Sequence, residues 1–316
     1  MKGYAQAALV IALLALYPLV FTRYMNFGVA TLLFAGFALS WDILGGWAGQ
    51  SSLGHAALVG TGAYAVTILA ESHVHPLWGA LFGMVLAMVA ACGAAVTFRL
   101  RGPYFTLASL AIGEIVRLVA INETWLTNGA EGKFVPELPT LFGQSLFDRK
   151  VEFYLALAYV ALVLVVLLVV KGSRLGFYLR AVREDEEGAM ALGVAPARVK
   201  LIAFVISATL TALGGALYAI FLQALDPHTL FDHGVSVQIA LLAIIGGRGT
   251  VLGPLLGAFA IRVPEEMLRS KLGESNLFVY GVLLVVVVLF FPRGIVGTWN
   301  DWRYRVSRRK TGEAEP

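Results

Sequence analysis

Long apolar runs alternate with short polar intervals along the whole chain. The runs cover residues 5–21, 28–47, 55–70, 77–98, 103–121, 151–171, 200–223, 235–262 and 276–291. Most of them reach the roughly 17 to 25 residues that an α-helix needs to cross a bilayer, and they lack the alternation of a transmembrane β-strand. The pattern therefore predicts an all-α polytopic membrane protein, with about 8–10 transmembrane helices when broken or re-entrant segments are counted.

Two glycine-rich intervals break this pattern. They contain Gly45 and Gly46 ahead of the run at 55–70, and Gly246, Gly247, Gly249, Gly253 and Pro254 inside the run at 235–262. Glycine is costly within a helix and proline kinks one, so 235–246 and 254–262 are predicted to be either two short crossings or one re-entrant pair. Irregular backbone cannot face lipid, so each break is covered by protein or lines a cavity. Paired breaks of this kind are typical of transport sites.

Lysine and arginine collect in two places, the interval 171–200 and the end of the chain at 293–310. Such residues mark cytoplasmic loops in membrane proteins, whereas the long loop 122–150 has more acidic than basic residues and is predicted outside. Counting the crossings then places both termini in the cytoplasm. We expect residues 1–300 to form one transmembrane domain with a charged loop at 172–200, and residues 301–316 to form a flexible basic tail.

Composition excludes several classes of protein. Hydrophobic residues make up 59% of the chain and charged residues 14%, whereas about a quarter of the residues in a soluble domain are charged. The net charge of +4 comes from cations beside span ends, so no nucleic-acid partner is predicted. Cys92, the single cysteine, cannot form an intrachain disulfide, and because it lies in an apolar run we expect it in the core.

The chain lacks the residue patterns of catalytic and metal sites. His73, His75, His228 and His233 stand without the thiols or acids that complete a metal site, and no Ser-His-Asp or paired-carboxylate constellation falls in one pocket. The phosphate-binding motif G-x-x-x-x-G-K-[ST] does not occur. We therefore predict no metal site, no bound cofactor and no enzymatic activity. If transport is driven by ATP, its hydrolysis takes place in another chain.

The interval 172–200 contains a candidate helix. Acidic residues at 184–187 favour a helix N-terminus through the helix dipole, Gly193 suits the position after the C-terminal cap, and Pro196 stops continuation. The pattern predicts one helix of about ten residues near 183–194, too short to be stable alone. Such a helix packs on its own membrane domain, docks on a partner or serves as a solvated connector.

Polar residues within or beside the spans are candidates for a substrate pathway. They are Gln50, Ser51, Ser52, His55, Tyr64, Thr106, Ser109, Glu114 and Tyr218. Those at the first break either line the path or hydrogen-bond the backbone that the glycines free. Glu114, which we identify as the one qualifying intramembrane acid, shares a helix face with Arg117. It is interpreted as part of a structural ion pair, as a contact to a partner subunit or as a pathway residue.

Short motifs follow one another in a fixed order across residues 28–297. They are GQSSLGHAA (49–57), GTGAY (60–64), RGPYFTLA (101–108), GEI (113–115), TNGAEG (127–132), LGFYLRAVREDE (175–186), ALGV (191–194), SA (207–208), GGALY (214–218), GGRGT (246–250), GP (253–254) and PRGI (292–295). This series resembles the LivM-type permeases, the membrane subunits of high-affinity branched-chain amino acid uptake systems. Ser51 and Gly188 depart from the resemblance, which leads us to expect leucine and alanine at these positions.

The resemblance implies partners and a location. It implies a paralogous LivH-type permease subunit, two cytoplasmic ABC ATPases that use ATP and Mg²⁺, and a periplasmic substrate-binding protein, assembled in the bacterial inner membrane. Leucine, isoleucine and valine are the expected substrates, while similar permeases serve urea, short amides or aromatic acids. An ion-coupled secondary carrier is the alternative from another class, but it needs several intramembrane acids and leaves the charged loop unexplained.

The resemblance also assigns the charged loop a role as the coupling helix that docks on an ATPase. The residues expected to take part are Arg180, Arg183, Glu184, Asp185, Glu186, Glu187, Ala189, Met190, Leu192 and Gly193. The charged members are expected to steer and hold the partner, and Met190 and Leu192 to supply apolar contact area.

Overall fold

The computed structural model describes residues 2–100, 102–140, 144–272, 281 and 294–298. Its helices are α1 (Lys2–Ala15), α2 (Tyr17–Val20), α3 (Met25–Asp42), α4 (His55–Glu71), α5 (Pro76–Gly93), α6 (Pro103–Asn122), α7 (Thr124–Thr127), α8 (Arg149–Gly172), α9 (Arg174–Glu184), α10 (Glu186–Ala191), α11 (Pro196–Leu222), α12 (Pro227–Leu230), α13 (His233–Gly247) and α14 (Gly253–Leu272). Two short strands, β1 (Lys133–Phe134) and β2 (Ala224–Leu225), pair antiparallel with Lys133 opposite Leu225.

Helix α3 is the centre of the fold. It is apolar on every side, which is the pattern of a buried helix. In its most apolar stretch 94% of the residues are buried, against 22% in α5 and 22% in α6. Helices α8, α11, α13 and α14 pack around α3, while α4 packs against α5 and α11. The outer surfaces of α5 and α6 therefore remain free for lipid or for another protein.

The all-α polytopic architecture is confirmed. Six described helical segments are long and apolar enough to cross a membrane: Thr22–Trp47, Pro76–Arg99, Pro103–Asn122, Arg149–Gly172, Pro196–Leu222 and Pro227–Gly247. The first predicted run is the shorter apolar segment Tyr4–Val20. The predicted span 276–291, apart from residue 281, and the predicted tail 301–316 lie outside the described residues. The full number of crossings and the cytoplasmic side of the termini stay predictions.

Both predicted breaks are present. After α3 the chain makes a π-helical turn at Ile43–Trp47 and then an irregular segment up to α4. The run predicted at 235–262 divides into α13 and α14, which pack against each other. Helix α14 continues to Leu272, beyond the predicted end at 262 and through Pro264. Pro254 lies in its first turn, where proline is tolerated because the first amides of a helix have no partner within it.

The single helix predicted at 183–194 is wrong in its bounds. The charged loop forms two helices, α9 and α10, which meet at Asp185. Asp185 has an extended backbone (φ −151°, ψ 106°), and its Oδ1 accepts a hydrogen bond from the amide of Glu187 at 3.1 Å. An aspartate that caps a helix N-terminus leaves the helical conformation itself, so the chain turns there. The position of Gly193 after the C-cap is confirmed by its φ of +85°.

The expected core position of Cys92 is also wrong, since its side chain is exposed on α5. The neighbouring outer surface of α5 carries exposed apolar residues such as Phe82, Val85 and Val89. Apolar character does not separate inside from outside in a membrane protein, because the lipid-facing surface is as apolar as the core.

Candidate functional site

Polar side chains from two helices hold the first break. The indole Nε1 of Trp41 donates to the carbonyl of Ser52 at 2.7 Å, and the hydroxyl of Thr106 donates to the carbonyl of Ser51 at 2.7 Å. The hydroxyl of Ser109 accepts from the amide of Leu53 at 2.9 Å. Thr106 and Ser109, which were predicted as pathway candidates, therefore hydrogen-bond the backbone of the break.

His55 ties the same break to α11. Its imidazole is fully buried, with Nδ1 3.2 Å from the hydroxyl of Ser52 and Nε2 2.9 Å from the hydroxyl of Ser207. Ser207 in turn donates to the carbonyl of Ser40 at 2.7 Å. Ser52 and His55 belong to the predicted pathway group, whereas Ser207 was not predicted to belong to it. These hydrogen bonds connect α3 to α11 through the imidazole of His55, so the start of α4 is fixed within the core.

The other predicted pathway residues lie in different surroundings. Gln50 is 7% exposed, and its side-chain oxygen has no hydrogen-bond partner among the described residues. Tyr64 is buried and stacks on Phe231 with ring centroids 5.7 Å apart. Tyr218 packs edge-on against two phenylalanine rings of α3, Phe34 and Phe37, at 5.9 Å each. The predicted group is therefore not one site.

An open cavity of about 430 Å³ adjoins the first break. It is lined by Gly49, Ser51, Gly102, Pro103, Thr106 and Leu107. Its described residues contribute hydroxyl groups, backbone and apolar surface, and none of them has a charged side chain. Among the predicted pathway residues, Ser51 and Thr106 are the ones that reach this space.

The predicted pair of Glu114 and Arg117 is confirmed. The guanidinium of Arg117 binds both carboxylate oxygens of Glu114, with Nε at 2.8 Å and Nη2 at 2.6 Å. His233, at the start of α13, lies with Nε2 2.8 Å from the same carboxylate. The three side chains are 25% to 38% exposed. The part of His233 could not be found from the sequence, since it depends on α6 and α13 packing together.

The identification of Glu114 as the one qualifying intramembrane acid is wrong. Asp42 is fully buried at the end of α3, within the predicted span 28–47, and Glu152 is 4% exposed in the first turn of α8. Glu152 pairs with Arg149 at 2.6 Å. The position of Asp42 inside an apolar run was the signal in the sequence, because an acid there is a functional candidate by default.

Asp42 joins the two breaks to the charged loop. Both of its carboxylate oxygens accept the amide N–H of Gly249, at 2.9 and 3.0 Å. Arg183 reaches the same place from α9, where its Nη1 donates to the carbonyl of Gly46 at 2.7 Å. We call the group of Asp42, Gly46, Arg183 and Gly249 the break junction. It brings together the end of α3, the turn after it, the turn between α13 and α14, and the last turn of α9.

The residues predicted to dock an ATPase divide into two sets. Arg180 lies over the ring of Trp47 at 6.0 Å, Glu186 pairs with Lys200 at 2.7 Å, and Ala189 is buried. Together with Arg183, these residues face their own membrane domain. The outward set is exposed and comprises Glu184, Asp185, Glu187, Met190, Leu192 and Gly193, of which Leu192 is 86% exposed. A short helix that is anchored on one side and apolar on the other presents a surface for a partner.

The described part of the chain holds no group of three or more histidine, cysteine or acidic residues arranged to bind a metal ion. The charged clusters that are present consist of paired acids and bases. Such pairs neutralise one another and fix helices in place.

Comparisons with known proteins agree with this architecture. The family described as "Branched-chain amino acid transport system / permease component" matches residues 29–289. The permease LivM of Escherichia coli K12 is 30% identical over 92% of this chain and 75% of its own length. LivH of Salmonella typhimurium is 33% identical over 40% of this chain and 41% of its own, and BraD of Pseudomonas aeruginosa is 29% identical over 56% and 59%. No solved structure matches. The chain is therefore a multi-pass membrane protein that belongs to the family of branched-chain amino acid transport permease components.

Proposed function

We propose that this chain is the LivM-type permease subunit of an ATP-driven importer in the bacterial inner membrane. It pairs with a LivH-type subunit and two cytoplasmic ABC ATPases, and it receives leucine, isoleucine or valine from a periplasmic binding protein. ATP and Mg²⁺ bind to the ATPases, and this chain has no catalytic site of its own. The observation that carries the proposal is the loop that contains α9 and α10. This helix pair is anchored on the membrane domain, contacts both helix breaks and has exposed apolar side chains at the end of α10.

The outward surface of α10 supports an ATPase partner. Met190 is 43% exposed and Leu192 is 86% exposed, while Glu184 adds a negative charge beside them. The helix has only six residues, which is too few to be stable without packing. Because its inner side already packs on the membrane domain, the outer side is free to bind a soluble subunit.

The cavity beside the first break supports a small substrate without net charge. A zwitterionic amino acid with an apolar side chain passes most readily through a path without strong fixed charges, because tight binding would trap it. The described residues of its lining supply hydroxyl groups and apolar surface, and none of these residues is charged. Selectivity then resides in the binding protein, and urea, short amides and aromatic acids are the alternative cargoes.

Helix α6 supports a second permease subunit. Glu114, Arg117 and His233 are partly exposed on a surface that is otherwise apolar, with Ile115 and Val119 beside them. A charged group at the centre of a bilayer costs about 2.5 to 3.5 kcal/mol on insertion scales when it faces lipid. The outer surface of α5 carries no such group among its exposed large residues. We therefore assign the α6 surface to the LivH-type partner and the α5 surface to lipid.

The deciding experiment is reconstitution. The chain is placed in proteoliposomes with its LivH-type partner, the candidate ATPases and the loaded binding protein, and uptake of labelled leucine is measured. We expect uptake with ATP and Mg²⁺, and none with a non-hydrolysable analogue. Uptake that depends on an imposed ion gradient and does not require ATP would instead identify a secondary carrier. Binding of leucine, urea and aromatic acids to the binding protein decides the cargo.

A matched pair of variants tests the docking surface. Leu192→Ser removes the most exposed apolar side chain of the α10 tip and is expected to reduce co-purification of the ATPases several-fold. Val96→Ser removes another exposed apolar side chain, 70% exposed in the turn at Ala94–Arg99, and is expected to leave co-purification unchanged. Equal loss in both variants, or loss in neither, contradicts the assignment of α10 as the docking helix.

A further inference from the structure

The break junction connects three segments that are far apart in the sequence. Asp42 is the last residue of α3, and Gly249 lies in the turn between α13 and α14. Arg183 lies in the last turn of α9, in the loop that also contains α10. The hydrogen bonds join backbone of each glycine-rich turn to a charged side chain of another segment. A displacement of Arg183 therefore acts on the first break directly and on the second through its neighbours.

The junction is packed without free space. A Cβ atom at Gly46 would collide with Oδ1 of Asp42 and with the amide nitrogen of Gly249, and one at Gly249 would meet Nη1 of Arg183 at 2.5 Å. Gly249 also has a φ of +72°, which side-chain-bearing residues rarely adopt. Close-packed groups transmit displacement because they have no room to move separately. The two breaks and Arg183 thus form one mechanical unit.

Charge strengthens this unit. Arg183 and Arg248 both interact electrostatically with the buried carboxylate of Asp42. The geometric contact that holds Arg183 is its hydrogen bond to the carbonyl of Gly46, and the electrostatic interaction with Asp42 adds to it.

A second contact with the membrane domain holds α9 and α10 together, so that they move as one rigid body. Lys200, 1% exposed at the start of α11, pairs with Glu186 at 2.7 Å. Leu179 and Val182 of α9 are buried against the membrane domain. Arg183 and Glu186 lie on either side of the turn at Asp185, so a force on the tip of α10 reaches the breaks through one residue and α11 through the other.

We propose that Arg183 and Asp42 are positioning residues that couple the movement of α10 to both helix breaks, so that one docking event rearranges the two breaks together. This inference rests on the proposed function, because it needs an ATPase on α10. The charged loop then has two separate roles. Leu192 and Met190 bind the ATPase, while Arg183 transmits the movement of α10 to the two breaks.

The test measures leucine taken up per ATP hydrolysed in the full reconstituted complex. Arg183→Gln is expected to lower this ratio about tenfold, within the range of about 5- to 150-fold that coupling between sites spans. Co-purification of the ATPases and their basal ATP hydrolysis stay within about twofold of the native complex. Arg174→Gln is the matched control, because Arg174 is exposed at the start of the same helix and, among the described residues, forms no hydrogen bond or ion pair with either glycine-rich turn.

A double variant separates coupling from simple loss of structure. Asp42→Asn keeps an oxygen that accepts from Gly249 but removes the charge that Arg183 and Arg248 face. If both residues act through one junction, Asp42→Asn with Arg183→Gln lowers the ratio no further than Arg183→Gln alone. Arg183→Lys restores the charge without the guanidinium geometry, and its ratio is expected between those of Arg183→Gln and the native complex.

Four results overturn the proposal. They are a native ratio in Arg183→Gln, an equal loss in Arg174→Gln, a multiplicative loss in the double variant, and loss of the ATPases from the Arg183→Gln complex, which would make Arg183 a docking residue. Should Arg183→Gln fail to reach the membrane, Arg183→Lys decides by the same ratio, and a native value contradicts the proposal. Failure of the proposed function has a different signature, because the native complex then shows no ATP-driven uptake at all.

Discussion

Gly46 occupies a position where one added methyl group has no space. The nearest atoms to its missing Cβ belong to Asp42 and to the backbone of Gly249. Gly46→Ala is therefore expected to lower the stability of the protein by about 1 to 3 kcal/mol, the usual cost of overpacking a rigid interior. Thermal unfolding of the purified protein in detergent measures the effect.

Gly172 is the control for that substitution. It ends α8, and a Cβ there meets no atom within 4 Å. Gly172→Ala is expected to leave the unfolding temperature unchanged or slightly raised, since alanine favours a helix over glycine. A Gly46→Ala protein as stable as Gly172→Ala would show that the two breaks are not closely packed.

The pair of Lys200 and Glu186 tests the second anchor of the charged loop. Lys200 is 1% exposed, whereas Glu186 is 24% exposed. Glu186→Gln leaves a buried ammonium group without its counter-ion and is expected to lower the unfolding temperature. Adding Lys200→Met removes that unpaired charge and is expected to restore much of the loss. A double variant less stable than Glu186→Gln contradicts this account.

Individual residues were predictable from the sequence where the cause was local. The pairing of Glu114 with Arg117 follows from three residues of helix, and Gly193 follows from the way helices end. The hydrogen bond from Gly249 to Asp42 joins segments from opposite ends of the chain, and no local pattern specifies it. Arg183 and Glu186 were expected to bind a partner, and their bonds to Gly46 and Lys200 within the chain could not be read from the sequence.

At the scale of helices, the apolar runs predicted where the spans lie in the sequence. They did not predict which side of each helix faces protein and which faces lipid. Helices α3 and α5 are both apolar throughout, yet 94% of the most apolar stretch of α3 is buried against 22% of that of α5. A soluble helix shows its inner face by polar residues on the outer one, and a helix in lipid has no such requirement. Charged groups such as Glu114 therefore carry most of the information about which helix surface meets protein.

The assignment of the α6 surface can be tested by crosslinking. With Cys92→Ala as background, a photoreactive probe is attached to Ile115→Cys on α6, and separately to Val85→Cys on α5. These positions are 60% and 49% exposed. We expect Ile115→Cys to crosslink to the LivH-type subunit in the assembled complex, because charged groups beside it need cover from lipid. Crosslinking to that subunit from Val85→Cys alone would reverse the assignment.

On the scale of the whole molecule, the orientation in the membrane decides whether the break junction can serve an ATPase. The lysines and arginines of 171–200 predict that this loop is cytoplasmic, and the acidic residues of 122–150 predict that β1 lies outside. In the Cys92→Ala background, Phe134→Cys and Leu192→Cys place one exposed thiol on each side, at positions 80% and 86% exposed. A membrane-impermeant maleimide is expected to label Phe134→Cys in intact spheroplasts and Leu192→Cys only after lysis. The opposite pattern would put α10 and Arg183 out of reach of any cytoplasmic subunit, and both the proposed importer and the coupling role of the junction would then be wrong.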